Sequence, residues 1–336
     1  MEILTDKEQA TPRLSDSRRE LTALLAGCGI YRPDRILIGL AGRDRVRWLN
    51  GMVTNNIRDL AAGRGVYAFV LNPQGNILGD LYVFNRGERL IAAIERPQLD
   101  ALLSIFRKYI IMDKVEIEDL SATLKVIGIA GPKSEDLLAS LGLRKELATL
   151  EIADGASSET RDTVVRGDNP CVRNYELWVA TDKAESVWNR LLQAGAEAVE
   201  GETLETFRIL CGVPKFGQDI RERTLPQETG QERALNFTKG CYIGQEIVER
   251  IRSRGSVHRM FTGFEIILGP VPAAGSKIQS EGKDVGELTS VLSQPLKGKQ
   301  LAVGYLRKEF AGGDKALRAG EASVRPASLP LTNLVF

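Results

Sequence analysis

The chain has 336 residues, enough for two or three cores at roughly 100–200 residues per domain. Its 43% hydrophobic and 26% charged residues are those of an ordinary globular protein, and 45 Lys+Arg against 44 Asp+Glu leave a net charge of +1, so bulk charge gives no reason to expect direct nucleic-acid binding. The N-terminal "MEILTDKEQATPRLSDSRRE" lacks the apolar core of a secretory signal, no run approaches the ~18 apolar residues of a membrane span, and Cys28, Cys171, Cys211 and Cys241 form no CxxC pair, so a cytoplasmic chain with reduced thiols and no membrane contact is expected.

The first element in chain order is "RILIGLAGRDRVRWLNGMV", a buried-strand pattern that breaks at Gly42 and enters a helix. "GRGVYA" from Gly63 to Ala68 fits a dinucleotide fingerprint, but it precedes the strand "VYAFVL" instead of opening a helix, so that reading is rejected. A hairpin follows in "YAFVLNPQGNILGDLYVFN", with Asn72-Pro73-Gln74-Gly75 as its turn, then the strand "RLIAAIE" and an amphipathic helix. "LKVIGIAGPKSEDLLASLG" then echoes the first strand and helix, with Ile127-Gly128-Ile129-Ala130-Gly131 standing 127 − 38 = 89 residues after Ile38-Gly39-Leu40-Ala41-Gly42. "DTVVRGDNPCVRNYELWVA" and the helix "DKAESVWNRLLQAGA" complete the echo. Each half reads strand–helix–strand–strand–helix, which predicts an α+β fold of two ferredoxin-like split-βαβ modules. After a helix in "GETLETFRILCGV" the chain becomes irregular, then breaks into short β runs that predict a small C-terminal β-barrel. The expected division is 1–120, 121–255 and 256–336.

The most concentrated chemistry lies in "TKGCYIGQEIVERIRSRG". Ile243, Ile247 and Ile251 recur every four residues, so a helix is expected from about Gly244, with Glu246 and Arg250 as an i,i+4 pair. Cys241 then precedes a helix N-terminus, where the partial positive charge and nearby Lys239 favour thiolate, and Gly240 and Gly244 permit close backbone approach. A buried cysteine in a tight turn is the competing reading. Arg250, Arg252, Arg254 and Arg259 form a basic run around His258, either a solvated face or a contact for anions. His258 is the single histidine, so a histidine zinc site is not expected, and a Cys–His or Ser–His–Asp centre would have to use it.

"KGCYIGQE" resembles the signature of the YgfZ/GcvT family, specifically its YgfZ branch of folate-binding proteins linked to iron–sulfur cluster assembly or repair. "FGQDIRERTLPQETG", "WLNGMVTNNI", "LNPQGNILGDLYVF" and "GELTSVLSQPLKGKQLAVGYLR" resemble other segments of that family, so the match runs from about Ile36 to Leu306. The resemblance implies two ferredoxin-like domains and a C-terminal barrel around a central tetrahydrofolate site. It makes Tyr242, Gln245 and Glu246 motif residues beside the Cys241 thiol and Lys239. It places Tyr175-Glu176 at the family's folate position, where one carboxylate accepts two adjacent pterin donors. On sequence alone Glu176 reads equally as the polar face of a strand. Asn72, Asp80, Glu205 and Arg208 are further implied cofactor contacts, although Glu205 and Arg208 also suit an ordinary i,i+3 surface pair.

One departure bears on activity. The aminomethyltransferase branch carries an Asp pair in the hairpin where this chain has Gly79-Asp80, and lacks the cysteine pattern. Three readings follow: a folate-binding accessory of iron–sulfur client or assembly proteins, indirectly supporting tRNA modification; a folate-dependent one-carbon transferase with Asp80 as acid or base; and an interaction module without folate. Whether the chain is an enzyme stays open among them, and no resident metal is expected.

Overall fold

A computed structural model describes residues 14–143, 146–155, 162–313 and 315–336. Helix α1 (Leu14–Ala26) leads to a short strand, β1 (Gly29–Tyr31), and then to β2 (Arg35–Ala41) and α2 (Arg45–Met52). The hairpin β3 (Gly65–Leu71) and β4 (Ile77–Asn85) is followed by β5 (Leu90–Glu95), α3 (Leu99–Lys108) and β6 (Glu116–Asp119). These strands form an antiparallel sheet of order β3-β4-β5-β2-β6. Strands β4-β5-β2-β6 have split-βαβ connectivity, with β3 added at the edge. In α3, Leu99, Leu102, Leu103 and Phe106 recur at helical spacing and bury against this sheet.

The echo is β7 (Leu124–Ala130), α4 (Ser134–Ser140), β8 (Ile152–Asp154), β9 (Thr163–Arg166), β10 (Asn174–Ala180) and α5 (Ala184–Gln193), ending in the two-residue strand β11 (Glu197–Ala198). The second sheet has the order β11-β1-β7-β10-β9-β8. The repeated Gly-Ala-Gly strand ends therefore fall on β2 and β7, the equivalent strands of the two sheets.

Residues 29–31 do not join the first sheet, as a first module over 1–120 would have it. Strand β1 lies between β7 and β11, with Gly29 opposite both Ala130 and Glu197. A two-residue β11 is too short to cover the β7 edge, and β1 covers it. Leu21 and Leu24 of α1 pack with Val199, Phe207 and Leu210.

The two sheets face each other across Leu37, Phe84 and Ala93 on one side and Val126, Val165 and Trp178 on the other. Helix α6 (Gly201–Cys211) joins this body to the barrel through Phe261, Val303 and Tyr305. After α7 (Gln245–Arg254), β12 (Arg259–Leu268), β13 (Lys277–Ser280), β14 (Lys283–Val291), β15 (Gln300–Arg307), β16 (Leu317–Ala319) and β17 (Ala322–Ala327) close into a barrel of order β12-β15-β14-β13-β16-β17. Phe264, Ile278, Leu288 and Leu306 fill it. Two α+β bodies followed by a closed β-barrel match the fold class expected from the sequence.

The 238–255 segment also departs from its expected place at the end of the second module. It packs on the first sheet, where Ile243 joins the core under α2 and α3, and Tyr242 and Val248 pack with Tyr67, Phe69, Leu71 and Ile77.

Candidate functional site

A cavity of about 470 Å³ opens where the two sheets and α6 meet. Glu176, on β10, is 9% exposed and points into it. Its Oε1 accepts from Arg35 Nη1, and its Oε2 accepts from Trp178 Nε1 at 3.1 Å. Burial alone would depress the Arg35 guanidinium, but the Glu176 and Glu95 carboxylates outweigh it and hold the group above its ordinary value. Arg35 also lies over the Tyr82 ring at 5.2 Å, and its Nε is buried without a hydrogen-bond partner. Tyr175 faces the other way, because successive strand residues point to opposite faces. It is 1% exposed in the core behind β10 and its hydroxyl donates to Glu135 at 2.6 Å. Tyr175 is a core residue and does not line the cavity.

Asp80 lines the opposite wall. Its Oδ2 accepts from the Tyr67 hydroxyl at 2.5 Å and its Oδ1 from Gln98 Nε2 at 2.6 Å. Burial and the Asp80 charge push the Tyr67 phenol well up, so it remains a donor. Arg233 lies over the Tyr67 ring at 4.5 Å and pairs with Asp168, which also accepts from the Tyr82 hydroxyl at 2.8 Å. Arg35, Tyr82, Asp168 and Arg233 were not singled out in the sequence.

Glu205 and Arg208 line the cavity too, but Arg208 is fully engaged. Its five N–H groups reach Glu205, Asp219, the Val213 carbonyl and Ser290 at 2.6–3.0 Å. Asp219 is 1% exposed and accepts from Arg208, the Lys215 backbone N–H, Thr289 and Ser290. This cluster ties α6 and the 213–220 turn to strand β14 of the barrel.

The signature loop stands apart from the cavity, and no residue from 238–255 lines it. Cys241 is exposed, which removes the reading of a buried cysteine in a tight turn. Lys239 is 8% exposed and donates to the carbonyls of Asn50, Val53 and Asn55 at 2.5, 2.6 and 2.8 Å. Its ammonium therefore clamps the loop to the end of α2, with Arg58 next to Gly240. The Tyr242 N–H donates to Gln245 Oε1 at 3.3 Å, while Glu246 is exposed. On α7 the ion pair formed is Glu249–Arg252 at 3.4 Å, in place of the expected Glu246–Arg250. Asn72 is not in the cavity either: its carbonyl abuts Gly244, and its side chain accepts from the Asn76 N–H within the hairpin turn. Asn72 supports the loop from below. Of the basic run, Arg259 is bound to Glu228 at 3.0 Å, so it is not a free face, and His258 is exposed.

A family model described as the GCVT N-terminal domain matches residues 19–239. The chain belongs to the GCVT family. A second model, the CAF17 C-terminal β-barrel domain, matches residues 256–330, the stretch that builds the barrel seen here. Among curated relatives, an aminomethyltransferase of Rubrobacter xylanophilus is 26% identical over 289 residues, covering 83% of this chain and 76% of that protein. One of Bacillus subtilis is 24% identical over 311 residues, covering 88% and 84%. The solved glycine cleavage system aminomethyltransferase T of Bartonella henselae shares the fold, with a TM-score of 0.83 at 19% identity over 94% of this chain and 89% of that one.

In this GCVT-family chain, the cavity brings together Glu176, Asp80, Glu205 and Arg208 of the residues expected from sequence, and leaves out Tyr175, Asn72 and the whole signature. Among the described residues no three His, Cys, Asp or Glu side chains gather as a metal site, and no helix is long and apolar enough to cross a membrane.

Two expected results follow for the loop. Native protein should show its fastest alkylation at the exposed Cys241, lost in Cys241→Ser, with the half-buried Cys171, whose thiol a hydrogen bond with Cys211 lowers to about 7, as the second site. Cys28, which burial pushes up to about 11, and Cys211 should react only on unfolding. Burial likewise pushes the Lys239 ammonium down from 10.5 to about 7, with the Arg58 charge adding to the effect. The unfolded chain keeps that proton to higher pH, so between the two values raising the pH favours the folded state by up to about 1.4 kcal/mol per unit. Urea unfolding should show wild type gaining on Lys239→Met between pH 7 and pH 9; no gain would mean the three carbonyls hold the charge against its burial.

Proposed function

We propose that the chain binds tetrahydrofolate in the cavity between its sheets and acts, through the exposed Cys241 thiol, as an accessory protein in iron–sulfur cluster assembly or repair, supporting tRNA modification indirectly. The observation that carries this reading is the separation of a polar anchor inside the cavity from an exposed thiol outside it. The cavity volume falls within the roughly 300–1,000 Å³ of small-molecule sites. After Arg35 and Trp178, each Glu176 oxygen retains a lone pair. A carboxylate with lone pairs on both oxygens complements a pterin edge, which carries two adjacent donors. Bound tetrahydrofolate would supply a nitrogen able to accept or carry a one-carbon unit; the chain's own residues hold its ring and exclude water from it. Cys241, held at the surface by Lys239, is presented to a partner protein and not to the folate.

A second reading, a folate-dependent one-carbon transferase, is favoured by Asp80 lining the same cavity. Under it Asp80→Asn abolishes turnover; under the first it only weakens binding.

Anaerobic calorimetry with tetrahydrofolate tests the proposal. Wild type and Cys241→Ser should bind alike, and Glu176→Ala should bind at least 100-fold more weakly, about 2.7 kcal/mol. Ligand at 100 times its dissociation constant should stabilise the fold by about 2.7 kcal/mol. No binding to wild type would remove both folate readings and leave Cys241 as a docking residue.

A further inference from the structure

Five cationic side chains line the cavity, and four of them are committed to carboxylates: Arg32 to Glu185, Arg35 to Glu176, Arg208 to Glu205 and Asp219, and Arg233 to Asp168. The fifth is Lys215. Among the described residues its Nζ makes no hydrogen bond or ion pair; Glu95 and Glu205 feel its charge, but neither lies within ion-pair distance. The backbone that carries it is the opposite of free. The Lys215 N–H donates to Asp219 Oδ2 at 2.9 Å, and its carbonyl accepts from Asp219 and Ile220 at 2.8 and 3.0 Å. Asp219 is anchored in turn by Arg208 and by Thr289 and Ser290 of the barrel. Val213, Pro214 and Phe216 of the same turn also line the cavity. A locked turn thus offers one uncommitted ammonium to the cavity, the arrangement that lowers the ordering cost of binding an anion.

We propose that Lys215 binds the carboxylate tail of the cavity ligand and so makes the site selective for folates that carry a glutamate over free pterins. This rests on the folate reading. The pterin end has its own anchor in Glu176 and Arg35, whereas the tail is anionic and needs a cation not already neutralised. Among the described residues, only Lys215 of the cavity's cations meets that condition. An ammonium, which carries three rotatable donors, also accommodates a flexible tail of one or several glutamates better than a fixed fork does.

The experiment compares wild type, Lys215→Met and Lys215→Arg by anaerobic calorimetry with three probes: tetrahydrofolate, its triglutamate, and 6-methyltetrahydropterin, which has no tail. Lys215→Met should bind tetrahydrofolate about tenfold more weakly, and the triglutamate by at least that factor. Its affinity for 6-methyltetrahydropterin should be unchanged, and Lys215→Arg should recover most of the loss. If wild type binds tetrahydrofolate and Lys215→Met binds it equally well, the assignment is wrong while the folate reading stands. Equal losses for all three probes would show a merely structural role and also overturn it. Absence of tetrahydrofolate binding to wild type would overturn the folate reading and this assignment together.

Discussion

Replacing Asp219 with alanine should cost about 3–5 kcal/mol of stability, the range for breaking a buried charge cluster by removing one partner. The carboxylate is nearly inaccessible and accepts four donors: Arg208, the Lys215 N–H, Thr289 and Ser290. Its loss leaves the Arg208 guanidinium with Glu205 as its remaining carboxylate, and removes an acceptor from two buried hydroxyls. Asp219→Asn keeps one acceptor oxygen but loses the charge, so it should fall between wild type and alanine. Urea unfolding midpoints of the three proteins check this order. A loss below about 1 kcal/mol for Asp219→Ala would mean that α6, the 213–220 turn and the barrel are held together by apolar packing alone.

Gly244→Ala should cost about 2–5 kcal/mol and displace the thiol loop. Gly244 precedes α7 with φ +82°, a left-handed conformation that costs an L-residue roughly 1–2 kcal/mol. A methyl group there would also lie 2.6 Å from the Asn72 carbonyl oxygen and 2.9 Å from Leu71 Cβ. Relief requires the hairpin and the signature to separate, at a further 1–3 kcal/mol. Gly87→Ala is the control, since Gly87 has φ +79° but nothing within 4 Å of an added Cβ. The difference between the two unfolding midpoints isolates the close approach. Equal losses would show that Gly244 is kept for its backbone angle alone, and the Cys241 alkylation rate should then be unchanged.

The parts legible in the sequence are those written in local patterns. The repeated Gly-Ala-Gly strand ends marked β2 and β7, and the alternation after residue 255 marked the barrel. The apolar positions of α3 and α7 set their buried faces, although in α7 Val248 is buried more deeply than the isoleucine seam. Of the residues singled out by their own chemistry, Glu176 and Asp80 line the cavity and Cys241 lies exposed outside it. Tyr175 was misassigned because adjacency in sequence says nothing of side when the chain is a strand. Asn72 was misassigned because a turn residue can serve a neighbouring loop through its backbone carbonyl, which no side-chain pattern reports. Arg35 meets Glu176 across 141 residues of chain, and Arg233 meets Asp168 from a different segment, so their convergence has no local trace. Lys215 was invisible for another reason: its significance lies in the partners it lacks.

Strand β1 leaves the ribosome long before the strands it pairs with. Gly29 is opposite Ala130 and Glu197, 101 and 168 residues further on (130 − 29 and 197 − 29), and at about 5–20 residues per second the second partner follows roughly 8–34 seconds later. Within that interval the first sheet can form, because all its strands lie between residues 35 and 119. The second cannot be completed until the waiting N-terminal segment returns to β7. The newborn chain therefore passes through a stage with one finished sheet and one bare strand edge, the feature most prone to pair with a foreign strand. The cavity, whose walls come from both sheets, exists only after that stage has ended, so a ligand bound there would report that the N-terminus has come home.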